Sequence, residues 1–126
     1  MTPEEFIAQI RQVVYKSAAS GTMSLIEKPP GRKPPENLVA LSKWFSQLPD
    51  SDKDMVRKAI TLAAHGATFG MLAVLDGVRQ IEDSPLKGRL ELHYIKGDQR
   101  TLLNEPSAEA LHDLFNQAGV KAGVSP

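Results

Sequence analysis

The 126 residues contain no cysteine. That absence removes disulfides, thiol nucleophiles and every zinc site that needs sulfur. An excess of charge of one sign is also missing. Lys and Arg number 15, as do Asp and Glu, so no net field draws the chain toward nucleic acid or an anionic membrane. A nucleic-acid role would have to rest on a local patch. The start, Met1-Thr2-Pro3-Glu4-Glu5, is acidic and lacks the apolar run of a secretory signal, so the expected compartment is the cytoplasm. No GxSxG, P-loop or dinucleotide fingerprint occurs. The three histidines, His65, His93 and His112, lie at no metal-ligand spacing, so neither a metal nor a cofactor is expected. The hydrophobic share of 41% and charged share of 24% are those of an ordinary globular chain, and the length suits one domain with one core.

What the sequence does have is one dominant apolar segment, Ser51 to Gly77. Ser51 is the expected N-cap, Asp52 and Asp54 favour the positive end of a helix dipole, and Asp54 stands at the capping-box position. Met55, Ala59 and Leu62 recur at helical spacing, as do Val56, Ile60 and Ala63. Beyond His65, apolar residues cover almost the whole circumference, which predicts a buried central helix. Ala59 to Leu75 carries no charge, and Gly66 and Gly70 form a GxxxG, two features that a membrane span would share. His65, the threonines, the weakly hydrophobic alanines and the charged first turn favour a protein core instead. The glycines then mark either a close approach or a break. Asp76-Gly77 ends the helix, with Gly77 left-handed.

Before this segment, Thr2-Pro3-Glu4-Glu5 is a complete helix start: cap, proline at the first position, and Glu5 closing the capping box. Phe6, Ile7, Ile10, Val13 and Val14 mark its stripe, with Arg11 off it, and Ser20-Gly21 is the expected stop. Residues 22–35 read as a basic, proline-rich connecting loop anchored by Met23, Leu25 and Ile26. Its Lys28-Pro29-Pro30-Gly31-Arg32-Lys33-Pro34-Pro35 run excludes helix and offers Lys28, Arg32 and Lys33 as partner-binding residues. A second helix runs from Glu36 or Asn37 to Gln47, with Leu38, Leu41, Trp44, Phe45 and Leu48 apolar and Trp44 expected in the core. The short Pro49-Asp50 turn makes it an antiparallel neighbour of the central helix.

After Gly77, Val78 to Glu82 is ambiguous between helix and strand. Arg89 to Lys96 alternates as a strand, Lys96-Gly97-Asp98 turns, and Arg100 to Leu103 returns. Ser107 is the expected cap of a last helix that Gly119 ends, leaving 120–126 as a flexible tail. The predicted fold is α+β and helix-rich: about four α-helices, one long and central, packed with a small antiparallel β-hairpin or three-stranded meander, in a single domain over 1–119.

Chemistry has few footholds. Asp54, Lys58, Thr61, His65, Thr68 and Asp76 share one stripe of the central helix, so a polar groove with His65 as acid/base is conceivable. Asp76, three turns on, lies about 16 Å away along the axis and cannot touch it. His112-Asp113, adjacent in the chain, reads as the outer side of a helix. The leading expectation is therefore a small bacterial-type protein-interaction module (adaptor, antitoxin or immunity protein) whose partner is another protein or a second copy of itself. The alternatives are a small enzyme using His65, Asp76 or His93, and a nucleic-acid binder using the Lys28 to Lys33 arm.

Overall fold

The computed structural model describes residues 1–121. They form four helical rods and one hairpin. The first rod is α1 (Pro3–Ile10), a π-helical segment (Arg11–Lys16) and α2 (Ser17–Glu27), run together without a break. Then come α3 (Glu36–Ser46), the long α4 (Asp50–Leu75), β1 (His93–Lys96), β2 (Gln99–Leu102) and α5 (Leu111–Lys121). The helix-rich α+β architecture read from the sequence is present, with the hairpin rather than the meander.

Thr2 and Glu5 close the capping box reciprocally, both bonds at 3.1 Å. The rod then passes through Ser20-Gly21, where a stop was expected. The Ser20 and Ser24 hydroxyls bond back to the carbonyls of Lys16 and Ser20, so neither side chain competes to end the helix. Met23, Leu25 and Ile26 are consequently helical rather than anchors within a loop, and Ile26 is buried. The proline-rich connection shrinks from 22–35 to 28–35, with Gly31 left-handed at φ 84°.

The π segment decides which face of this rod is inside. In an α-helix, positions four apart drift about 40° per step, because 3.6 residues make a turn. The wider π turn holds the row back. Ile7, Arg11 and Tyr15 therefore all point inward, while Val13 and Val14, expected on the apolar stripe, are exposed.

α3 packs along α2 rather than along α4. A short turn fixes where two helix ends meet, not how their axes lie. Phe45 fills the α3 contact and carries the Lys53 and Arg57 cations over its ring, at 5.6 and 5.9 Å. Trp44, one position before it, is 50% exposed and is not the core residue expected. α4 begins two residues early because Pro49, with φ −65°, takes the cap position expected of Ser51, and its carbonyl accepts from Asp52 and Lys53. Ser51 therefore does not cap.

The helix stays whole through Gly66 and Gly70. It ends in a Schellman turn: Val78 N–H donates to the Ala73 carbonyl, Gly77 N–H to that of Val74, and Gly77 has φ 79°. Val78 to Glu82 is neither helix nor strand, since that turn throws the chain into a loop. α4 is not buried all round either, as Leu62 and Met71 are exposed.

β1 and β2 pair from His93↔Leu102 to Lys96↔Gln99 around Gly97, whose φ of 58° suits the first corner of a two-residue hairpin turn. The strand is shorter than Arg89 to Lys96 because Asn104 takes the backbone groups a longer strand would pair. Its Oδ1 accepts from Leu92 N–H at 2.8 Å, and its Nδ2 donates to the Leu90 and Leu75 carbonyls at 2.9 and 2.7 Å. One amide thus pins the hairpin to the end of α4. α5 starts at Leu111, not at the Ser107 cap, and continues past Gly119, which is buried within it. Of the expected 120–126 tail, Val120 and Lys121 are helical and the rest lies outside the described residues. The core gathers Ile7, Tyr15, Leu72, Leu111, Leu114 and Phe115, with Phe69 and Leu92 packed on it.

Two glycines test these roles. Gly77→Ala forces a side chain into the left-handed region and should cost about 1–2 kcal/mol. Gly66→Ala adds a methyl where nothing lies within 4 Å, mid-helix, and should gain about 0.5–1 kcal/mol. Thermal melts should move in opposite directions for the two variants.

Candidate functional site

The interior is built around a cation. Arg11 enters from the π segment and is 5% exposed. Its guanidinium carbon lies 4.5 Å from the Phe115 ring centroid and 5.3 Å from that of Tyr15. Nη2 donates to the Phe115 carbonyl at 2.5 Å, while Nε and Nη1 are buried and have no hydrogen-bond partner among the described residues. Among the described residues no carboxylate pairs with it. The backbone of α5 stands in, since its later turns carry the negative end of the helix dipole. Gly119 makes the approach possible, because a Cβ there would lie 2.8 Å from Nη2. Burial lowers the Arg11 pKa, and Tyr15 opposes the shift.

His65 sits beside it in a cage of rings. Tyr15 meets it edge-on at 5.5 Å, Phe115 stacks at 4.9 Å, and Phe69 lies parallel at 6.5 Å. Its Nε2 is buried and has no hydrogen-bond partner among the described residues. Burial first, and then the Arg11 charge, lower its pKa, so the ring is neutral at neutral pH. The expected polar groove does not form. His65 and Thr68 are buried, the Thr68 hydroxyl bonds to the Ala64 carbonyl at 2.8 Å, and Asp54, Lys58 and Thr61 stay on the surface.

Asp76 meets His112 instead. Its Oδ2 accepts from the His112 backbone N–H at 2.8 Å and lies 2.7 Å from the ring Nδ1. The carboxylate of one helix end thus caps the N-terminus of another, which is why α5 starts where it does. The pair has the form of a base with its orienting acid. No hydroxyl, thiol or amine among the described residues hydrogen-bonds the His112 ring, so the observed arrangement is a tether. His112 was expected on the outer side of its helix, and the sequence offered no signal for this long-range pairing.

His93 completes the scatter. Its Nε2 lies 3.3 Å from Glu91, whose pKa is lowered by that bond and by Arg89. The three residues named as an enzyme's set, His65, Asp76 and His93, therefore engage three separate groups of partners. No three metal-ligating side chains gather among the described residues. The Lys28, Arg32 and Lys33 side chains are exposed in the connection after α2 and enter no hydrogen bond or ion pair among the described residues.

The surface is more unusual than the interior. Along α4, Met55, Ala59, Ala63, Ala67 and Met71, positions four apart and all exposed, form a ridge that winds about 160° around the helix, flanked by Leu62 and an open Gly66. Met55, Leu62 and Met71 are 61, 63 and 59% exposed. α4 is the one described helix long and apolar enough to cross a membrane, and only 28% of its most apolar stretch is buried.

Two outcomes follow. The His65 pKa is lower folded than unfolded, so the unfolded state takes up its proton first. The stability this provides is whole above about pH 6.5 and drains as pH falls toward the folded pKa. Urea midpoints should fall over that window in the wild type and less steeply in His65→Phe; equal slopes would remove His65 as the source. Asp76→Ala should lower stability by about 1–2 kcal/mol, read by the same titration at neutral pH.

No protein family, curated protein or solved structure matches the chain.

Proposed function

We propose that the chain is a protein-interaction module, working in the cytoplasm, with the exposed ridge that winds along α4 as its contact surface. The observation that carries this reading is the composition of α4 set against its burial. A helix apolar enough for a core shows a continuous ridge, Met55 to Met71, to solvent. Scattered apolar side chains are ordinary on a protein surface, whereas a contiguous apolar face marks a contact. Met55, Leu62 and Met71 supply adaptable anchors, and the alanines with Gly66 allow close approach of a facing element. The exposed Lys28, Arg32 and Lys33 would serve as a polar rim or a second contact. An adaptor, antitoxin or immunity-type role fits such a surface, with another protein or a second copy as the partner.

The enzyme reading draws no comparable support. His65 is closed in by aromatic rings, and Asp76 and His112 hold two helices together.

The test is affinity capture of the tagged chain from cells that make it, comparing wild type with a Met55→Glu, Leu62→Glu variant. Both positions are exposed, so the fold should change by no more than about 0.5 kcal/mol each. Retention of a saturable protein partner should fall at least tenfold, equivalent to about 1.4 kcal/mol. Equal recovery by the two proteins, or no saturable partner at all, would contradict the proposal. An Arg32→Glu, Lys33→Glu variant run in parallel reads the arm separately.

A further inference from the structure

From Gly77 to Leu92 the chain runs without helix or strand, and between this loop and the end of α4 lies a cavity of about 260 Å³. Val74, Ile81 and Leu90 give it an apolar wall, and Arg79, Lys87 and Arg89 bring three cations to it. Glu82, the one acid in the lining, accepts from the Gly88 N–H and so closes the loop on itself. Arg89 is paired with Glu91. The Arg79 guanidinium and the Lys87 ammonium enter no hydrogen bond or ion pair among the described residues.

Arg79 is also held in place. Its backbone N–H donates to the Ala73 carbonyl at 3.2 Å, and its guanidinium lies against Gly70, in the space a Cβ would need. A glycine inside a helix costs roughly 0.5–1 kcal/mol relative to alanine. Here the missing side chain leaves room for the guanidinium against the helix, one turn before Val74, which lines the cavity. Positive charge therefore converges on an apolar space whose own acid is already engaged. The complement is a single anionic group on an apolar body, and a planar carboxylate suits the guanidinium fork best. Taking about 30 Å³ for each water-sized group, the cavity has room for on the order of eight.

The geometry points to a binding site for a free amphipathic monocarboxylate, of the size of a medium-chain alkanoate. The acid sits between Arg79 and Lys87, and the chain lies along Val74, Ile81 and Leu90. This site is separate from the α4 ridge and does not depend on the interaction reading.

Isothermal titration of the full chain with octanoate tests it, with octanamide as the uncharged control. A third arm is an acetylated Leu-Asp-Leu amide, whose only acid is a side chain. Octanoate should bind at least tenfold more tightly than octanamide and more tightly than the peptide. Arg79→Gln with Lys87→Gln should lower octanoate affinity at least tenfold. Gly70→Ala should do the same through displacement of the guanidinium, while the melting temperature holds or rises. Equal binding of octanoate and octanamide would overturn the site, as would octanoate affinity unchanged in either variant or an absence of heat at millimolar octanoate. Tighter binding of the peptide would overturn the free acid as its ligand.

Discussion

A buried guanidinium that no carboxylate pairs with among the described residues is the constraint to which the rest of this interior answers. Taking such a charge out of water is expensive, and leaving two of its donors unpartnered adds to the cost. The compensation comes from several directions: the Phe115 carbonyl, the faces of Phe115 and Tyr15, and the dipole of α5. Each requires a particular neighbour. Arg11 enters the core from the π-helical stretch of the rod, and its guanidinium uses the space that a side chain at residue 119 would take. His65, facing the same cation, stays neutral. The packing of α1, α4 and α5 is thus organised by one charge as much as by apolar area.

The second set of constraints is a pair of polar tethers at the far end of α4. Asp76 caps α5, and Asn104 binds the carbonyls of Leu75 and Leu90 together with the N–H of Leu92. A hairpin of two four-residue strands has little stability of its own. These side chains, with Leu92 and Leu103 beneath, hold it on the helices.

Features fixed by neighbouring residues were legible in the sequence. The Thr2 capping box, the left-handed Gly77, the turn at Gly97 and the extent of α3 follow from short-range chemistry, and each stands where the residues placed it. What could not be read depends on partners far away in the chain. Arg11 interrupts the apolar row Ile7–Tyr15, so periodicity favoured Val13 and Val14 on the neighbouring row. Ser20-Gly21 resembled a stop because nothing local reveals that the serines bond within the helix. Trp44 and Phe45 are adjacent and both apolar, and only the placement of α3 on α2 decides which is inside. Asp76 was legible as a helix end, but not as the cap of a helix whose His112 N–H lies 36 residues later in the chain.

The ridge of α4 connects structure to function. An apolar helix in the centre of the sequence was expected to be covered on every side, yet its buried residues lie only between His65 and Ala73, and the ridge from Met55 to Met71 is open. The uncovered ridge is what the interaction proposal rests on. Hydrogen exchange of the chain, alone and with its captured partner, tests that most directly. Peptides spanning Met55 to Met71 should be the ones whose protection rises on binding. Protection confined to the 28–35 connection, with α4 unchanged, would contradict the account.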